Sequence, residues 1–323
     1  MMTFIRRFLL FVIFLAALGF AYAAYIGMEF GERPPSSFAP LQVGEDVKYV
    51  NVNGVRFAYI EEGQGPLVLL FHGYPETARS WASVQKRIAA AGYRVVAPYM
   101  RGYPPTDFAT EYSVKALGLD VLALIDLLSE DESAVVVGHD WGAAAVYRAA
   151  AEDPSKIKKL VALSIPHARA FAGDLTVFWE APHFVYYQFP WAERLLWSND
   201  FAHIDRIYKQ WAPNYDPPPE VMADIKSTLR VPGATESALS YYWTLVRTPA
   251  AENEAVAAKD IAVPTLIITG SGDGPMITGR FEKARSAFTG PYKLVELGGV
   301  GHFPQLEAPD QTAEAIINFL AEP

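Results

Sequence analysis

The chain has 323 residues, 51% hydrophobic and 20% charged, so it can bury a large core in one domain carrying an insertion, and it is not a disordered chain. A formal net charge of −9 without basic runs excludes nucleic acid, whose phosphates demand clustered Lys and Arg, and favours small apolar partners. The absence of cysteine excludes a disulfide framework, a thiol nucleophile and a cysteine-ligated metal.

Arg6 and Arg7 precede Phe8 to Met28, a run of 21 uncharged and mostly apolar residues. As a helix rising about 1.5 Å per residue it would span about 31 Å, enough for a bilayer core. Residues 1–28 therefore read as an uncleaved membrane anchor or as a signal segment cut after Ala21-Tyr22-Ala23. Apolarity that continues through Tyr25, Ile26 and Met28 favours the anchor. Arg6 and Arg7 stay cytoplasmic in both readings, which predicts a catalytic domain outside the cytoplasm, membrane-anchored or secreted. Residues 29–45, with Pro34-Pro35-Ser36-Ser37, form a linker.

From Val47 to Ile60 two short strands flank Asn53-Gly54, a two-residue hairpin signal. Pro66 to Phe71 is a buried strand ending in His72-Gly73-Tyr74-Pro75-Glu76, and a helical pattern follows over Ser80 to Ala90. Tyr93 to Pro98 is the next strand, then the loop Arg101-Gly102-Tyr103-Pro104-Pro105-Thr106 and a helix over Ser113 to Leu128. Buried strands alternating with helices predict a doubly wound, mostly parallel sheet with its active site at the carboxyl ends of the strands.

Ala134 to His139 then meets Asp140-Trp141-Gly142 and an alanine-rich segment, which reads as strand, sharp turn and helix. In a nucleophile elbow the turn residue is strained and exposed, and small residues two before and two after it let strand and helix approach. Gly138 and Gly142 are those residues. The reactive position is usually Ser; Asp140 points instead to attack by a carboxylate, although Asp is also a common N-cap.

Taken together, His72-Gly73-Tyr74-Pro75-Glu76, Arg101-Gly102-Tyr103 and Gly138-His139-Asp140-Trp141-Gly142 resemble the α/β-hydrolase superfamily, specifically its epoxide hydrolase branch. Tyr99 stands where that family often has Asp, and Pro104 replaces its usual Gly. The resemblance implies backbone oxyanion donors at Tyr74 and Trp141, and a covalent mechanism with no metal or organic cofactor.

After a strand over Lys158 to Ser164 the pattern changes. Residues 168–249 hold five of the seven tryptophans and helical-period segments, and read as a helical lid between core parts at 46–167 and 250–323. An aromatic lid over the active end of a sheet suits a small apolar substrate of the epoxide type. Tyr186-Tyr187 and Tyr241-Tyr242 resemble the two lid segments from which epoxide hydrolases present phenols to the epoxide oxygen, and the neighbouring residues match Tyr186 and Tyr242 to those positions. A slip by one to Tyr187 or Tyr241 stays open. Trp243 stands where the family often has a basic residue.

Pro264 to Thr269 is a core strand with Asp273 just beyond it in a glycine-rich turn. Tyr292 to Leu297 is the last strand, His302 follows in Gly298-Gly299-Val300-Gly301-His302, and a helix over Glu307 to Leu320 closes the chain. The order nucleophile, acid, histidine is that of this fold, so Asp140, Asp273 and His302 are the expected triad, although Asp273 also reads as a turn residue. His72 and His139 read as spacers within motifs, and His167, His183 and His203 as structural or lid residues. The expected reaction opens an epoxide to a vicinal diol through an ester on Asp140. A haloalkane dehalogenase, using the same triad, is the alternative; its common Asn at the position of Tyr74 is missing, as is the Arg that its fluoroacetate branch has at the position of Trp141. A non-catalytic binding protein on this scaffold leaves three occupied triad positions unexplained.

Overall fold

The computed structural model describes residues 31, 41, 43–171, 174, 176–249, 258–276 and 278–322. The candidate anchor over residues 1–28 lies outside these; among the described residues no helix is long and apolar enough to cross a membrane.

Eight strands form one sheet: β1 (Lys48–Val52), β2 (Val55–Glu62), β3 (Leu67–Phe71), β4 (Arg94–Pro98), β5 (Ala134–His139), β6 (Ile157–Leu163), β7 (Thr265–Gly270) and β8 (Tyr292–Leu297). Their order is β1-β2-β4-β3-β5-β6-β7-β8, antiparallel where β1 meets β2 and β2 meets β4, and parallel elsewhere. The hairpin falls at Asn53-Gly54, both with positive φ, which lets a two-residue turn match the twist of the strands.

Strand β3 is apolar and buried at every position because both faces are covered. Along β3, Val68 and Leu70 point to the face that carries helix α1 (Ala82–Ala90), with Val84 and Ile88, and the carboxyl-terminal helix with Ile316 and Phe319. Leu69 and Phe71 point to the face that carries α2 (Val114–Leu128) and α3 (Trp141–Glu152). Ser113 caps α2 by accepting the Ala116 N–H at 3.3 Å.

Between β6 and β7 the chain leaves the sheet and makes α4 (Val177–Glu180), α5 (His183–Tyr186), α6 (Ala192–Trp211), α7 (Pro219–Arg230) and α8 (Ala234–Arg247). Helix α6 is broken at Ser198–Phe201, where Asn199, Asp200 and Phe201 take positive φ. Tyr187, Tyr208, Trp211, Tyr241 and Tyr242 from this layer are buried in the same apolar cluster as α2 and α3. The Trp211 carbonyl accepts the His302 N–H at 2.9 Å, which ties the layer to the loop beyond β8.

The single closing helix expected over Glu307 to Leu320 is two helices, α10 (Pro304–Glu307) and α11 (Pro309–Ala321), after α9 (Thr278–Ala284). Pro309 is the reason: its ring disfavours helical backbone at Ala308, which sits at φ −139 and ψ 59.

Candidate active site

Asp140 stands between the end of β5 and the start of α3 at φ 51 and ψ −116, a strained conformation that a tight strand-to-helix crossing imposes. The glycines around it have steric reasons. A Cβ on Gly138 would meet the Gly142 carbonyl, one on Gly142 would meet the Phe71 carbonyl, and one on Gly73 would meet the Asp140 side chain itself. Asp140 makes no side-chain capping bond to α3, so the N-cap reading does not hold. Its Oδ1 accepts the Tyr74 N–H at 2.8 Å instead. Trp141 begins α3, where the N–H groups of the first turn are left unused by the helix.

Two further loops complete the cluster. His302 Nε2 lies 3.5 Å from Asp140 Oδ2, and its Nδ1 is 2.9 Å from Asp273 Oδ2. The other oxygen of Asp273 accepts the Met276 N–H at 3.2 Å, so this acid both orders its turn and orients the imidazole. Asp140, Asp273 and His302 are thus brought together as the sequence order suggested.

All three are buried, which fixes their electrostatics. Burial would drive the His302 proton off, but the charges of Asp273 and Asp140 on its two sides outweigh burial and push its pKa up to about 10. Burial likewise works against the Asp140 charge, yet His302 and the Tyr74 N–H hold the carboxyl below the ordinary carboxylate range. For Asp273 burial wins and the pKa is raised.

A group with its folded pKa raised from 6.5 to about 10 stabilises the fold fully below pH 6.5 and loses that contribution as pH rises through 10. The protein should therefore lose thermal stability between pH 7 and 10, and His302→Gln should lose much less over the same interval. Equal pH slopes in the two proteins would contradict the ion-pair arrangement.

The loops are themselves anchored by residues that the sequence presented as spacers. His139 Nε2 lies 2.7 Å from the His302 carbonyl, its Nδ1 is 2.9 Å from Glu76 Oε2, and Gln305 Nε2 donates to the same oxygen at 2.7 Å. His72 Nδ1 lies 2.9 Å from the Gly73 carbonyl and its Nε2 accepts the Met100 N–H at 2.9 Å, so it joins the ends of β3 and β4. Arg101 is buried against Asp120 with two contacts of 2.6 Å, which makes the Arg101-Gly102-Tyr103 loop a structural clamp.

The two tyrosine pairs separate clearly. The Tyr241 hydroxyl donates to the Arg101 carbonyl at 2.7 Å and is committed to that clamp. Tyr242 faces the site: its ring lies 5.2 Å from Trp141 and 5.3 Å from Tyr74, and the Asp140 charge joins burial in raising its pKa well above 10. In the first pair, Tyr186 packs on Tyr187 and His203, with its hydroxyl 3.4 Å from His203 Nε2. The Tyr187 hydroxyl is 2.8 Å from that of Tyr74 and 2.9 Å from His203 Nε2. The expectation that Tyr186 faces the nucleophile beside Tyr242 is therefore not what this geometry favours. One turn earlier, His183 lies with its ring 5.5 Å from Tyr242 and 4.7 Å from Trp211, which itself stands 4.9 Å from His302.

The sequence matches the alpha/beta hydrolase fold family over residues 66–309. It is 30% identical to epoxide hydrolase A of Mycobacterium tuberculosis over 314 residues, covering 84% of this chain and 96% of that one. The chain belongs to the epoxide hydrolase branch of the α/β-hydrolase superfamily. An epoxide hydrolase from Caballeronia sordidicola is 28% identical over 84% of this hydrolase and 92% of that protein. The crystal structure of an epoxide hydrolase from Vigna radiata superposes on this hydrolase with a TM-score of 0.74 at 27% identity, covering 85% and 98% of the two chains. That of epoxide hydrolase A from Mycobacterium thermoresistibile gives 0.70 at 27% identity over 85% and 97%.

Proposed function

We propose that this enzyme hydrolyses small apolar epoxides to vicinal diols through an ester on Asp140. The observation that carries the reading is a buried carboxylate at the elbow that meets the Tyr74 N–H and the imidazole of His302, with the Tyr242 ring packed on the neighbouring Tyr74 and Trp141. The names of the relatives above point to the same reaction.

In the first step an oxygen of Asp140 attacks a ring carbon, the carbon–oxygen bond breaks, and its electron pair goes to the departing oxygen. Tyr242 hydrogen-bonds to that oxygen and gives it a proton. The hydroxyl is free to do so, since it is buried with no acceptor for its own proton among the described residues. Once Asp140 is a neutral ester, His302 keeps only Asp273 as its anionic partner and becomes acidic enough to return a proton to the Tyr242 phenolate.

In the second step neutral His302 takes a proton from water, which attacks the ester carbonyl. The Tyr74 and Trp141 N–H groups stabilise the tetrahedral oxyanion. Collapse releases the diol and restores the Asp140 carboxylate beside a protonated His302, so protons and charge balance over the cycle. Residues 168–249 act as a lid whose aromatic rings exclude water while the ring opens.

Because water attacks the carbonyl rather than the epoxide, the oxygen first delivered to the diol is an Asp140 oxygen. A single turnover with excess enzyme in ¹⁸O-water should give unlabelled diol and one ¹⁸O in the peptide containing Asp140, read by mass spectrometry. Label in the diol at the first turnover would mean direct attack by water and would end the covalent reading.

A further inference from the structure

Tyr74 meets the site with two ends. Its N–H donates to Asp140 Oδ1 at 2.8 Å, while its buried side chain leaves the catalytic loop and enters the lid. There its hydroxyl lies 2.8 Å from that of Tyr187, and the Tyr187 hydroxyl lies 2.9 Å from Nε2 of His203 in the second half of α6. Tyr187 is also fixed to α8, since Trp243 Nε1 donates to its carbonyl at 2.8 Å. Burial, helped by the charge of Arg206 and by His183, takes the His203 pKa down to about 3, so the ring stays neutral in the working range and offers one donor and one acceptor. The chain Tyr74, Tyr187, His203 is therefore continuous with the proton on either ring nitrogen. The peptide that carries the Tyr74 N–H is thus held twice: within its loop, where the Gly73 carbonyl accepts the Glu76 N–H at 3.1 Å, and from the lid through the Tyr74 hydroxyl.

We infer that Tyr187, with His203 behind it, is a positioning residue whose hydroxyl draws the Tyr74 side chain into the closed lid and so aims the Tyr74 N–H at the oxygen that becomes an oxyanion. The inference rests on the covalent reading above and names the residues through which lid closure completes the oxyanion hole. Ester hydrolysis is then confined to the closed enzyme.

The two chemical steps use this N–H in opposite ways. Before attack it stabilises the negative charge of Asp140, and attack consumes that charge, so the bond is worth less as the ester forms. In hydrolysis Oδ1 is the ester carbonyl oxygen and gains charge, so the bond strengthens towards the transition state. A misdirected N–H therefore slows hydrolysis without slowing alkylation. General loosening of the lid would slow both, because Tyr242, the donor to the departing oxygen, belongs to the same layer.

The test separates the steps. Enzyme in excess over styrene oxide is taken through a single turnover and quenched at intervals; loss of epoxide reports alkylation, release of diol reports hydrolysis, and intact mass follows the ester between them. Tyr187→Phe should slow hydrolysis about 10- to 100-fold, the scale of a displaced oxyanion donor, and leave alkylation within about threefold. Tyr74→Phe, which removes the other hydroxyl of the same bond, should give the same split, and the double variant should be no slower than either single one. His203→Phe should show the split in milder form, and His203→Gln, which keeps a hydrogen-bonding group, should restore hydrolysis towards the wild-type rate. Should Tyr187→Phe fail to fold, Tyr74→Phe is judged by the same criterion.

Equal slowing of both steps in Tyr187→Phe, or hydrolysis at the wild-type rate, would overturn the role of Tyr187 and leave the epoxide reading intact. Additive losses in the double variant would overturn it as well, since the two hydroxyls would then act separately. A His203→Gln variant as slow as His203→Phe would remove His203 from the chain. Wild-type enzyme that consumes no epoxide would overturn the epoxide reading, and this inference with it.

Discussion

His302→Gln is expected to consume one equivalent of epoxide and then stop, with the substrate bound as an ester on Asp140. Attack by Asp140 needs no base, because the carboxylate itself attacks, and in the variant the Tyr74 N–H still donates to it. Hydrolysis of the ester does need one, and His302 is the buried imidazole within 3.5 Å of the nucleophile. Loss of a general base costs about 10²- to 10⁴-fold in the step it serves, so release should become far slower than alkylation and the adduct should accumulate. Gln keeps much of the size of the ring, and the His302 carbonyl contact with His139 belongs to the backbone, so the loop should remain in place.

The mass of that adduct also separates ring opening from halide displacement. An epoxide has no leaving group and adds its whole mass, whereas a haloalkane adds only its alkyl part and frees one halide. Addition of the whole epoxide mass to the peptide carrying Asp140 is the expected result. Adducts from haloalkanes alone would transfer the enzyme to the dehalogenase reaction, and a label on any other residue would remove Asp140 as nucleophile.

The sheet and the triad were legible in the chain for a local reason. Strands such as β3 and β5 are buried on both faces, so their apolar runs announce themselves, and the glycines at 73, 138 and 142 sit where backbone approaches backbone or the nucleophile. Asp140, Asp273 and His302 each follow a strand end, so finding the strands found them. The first lid segment was not legible in the same way. His183, Tyr186 and Tyr187 fall within about one helical turn, and which of them faces the sheet depends on the phase of a four-residue helix and on His203, which comes from another helix. Nothing local to the sequence encodes that partner. His139 read as a spacer because its pairing with Glu76 joins two motifs that are far apart in the chain and meets the backbone of a third, that of His302.

Asp140→Asn tests whether the same carboxylate sets the protonation state of its own base. Turnover should fall by about 10⁴-fold or more, since the amide cannot form the ester. The more informative effect is on His302. The amide that this substitution introduces is neutral, as Asp140 is once esterified, so the variant reproduces the charge of the covalent intermediate without substrate. In the wild type two carboxylates hold the His302 pKa up at about 10; with only Asp273 left opposite, and burial still acting against the cation, it should fall by more than one unit. Histidine ring resonances followed by NMR titration, with Asp140→Asn/His302→Gln used to assign the signal, measure this directly. By linkage, the stability that the wild type loses as pH rises towards 10 should in the variant be lost at lower pH and be smaller in total. If His302 still titrates near 10 in Asp140→Asn, alkylation does not release it as a base, and the proton needed for the second step must be removed by another group.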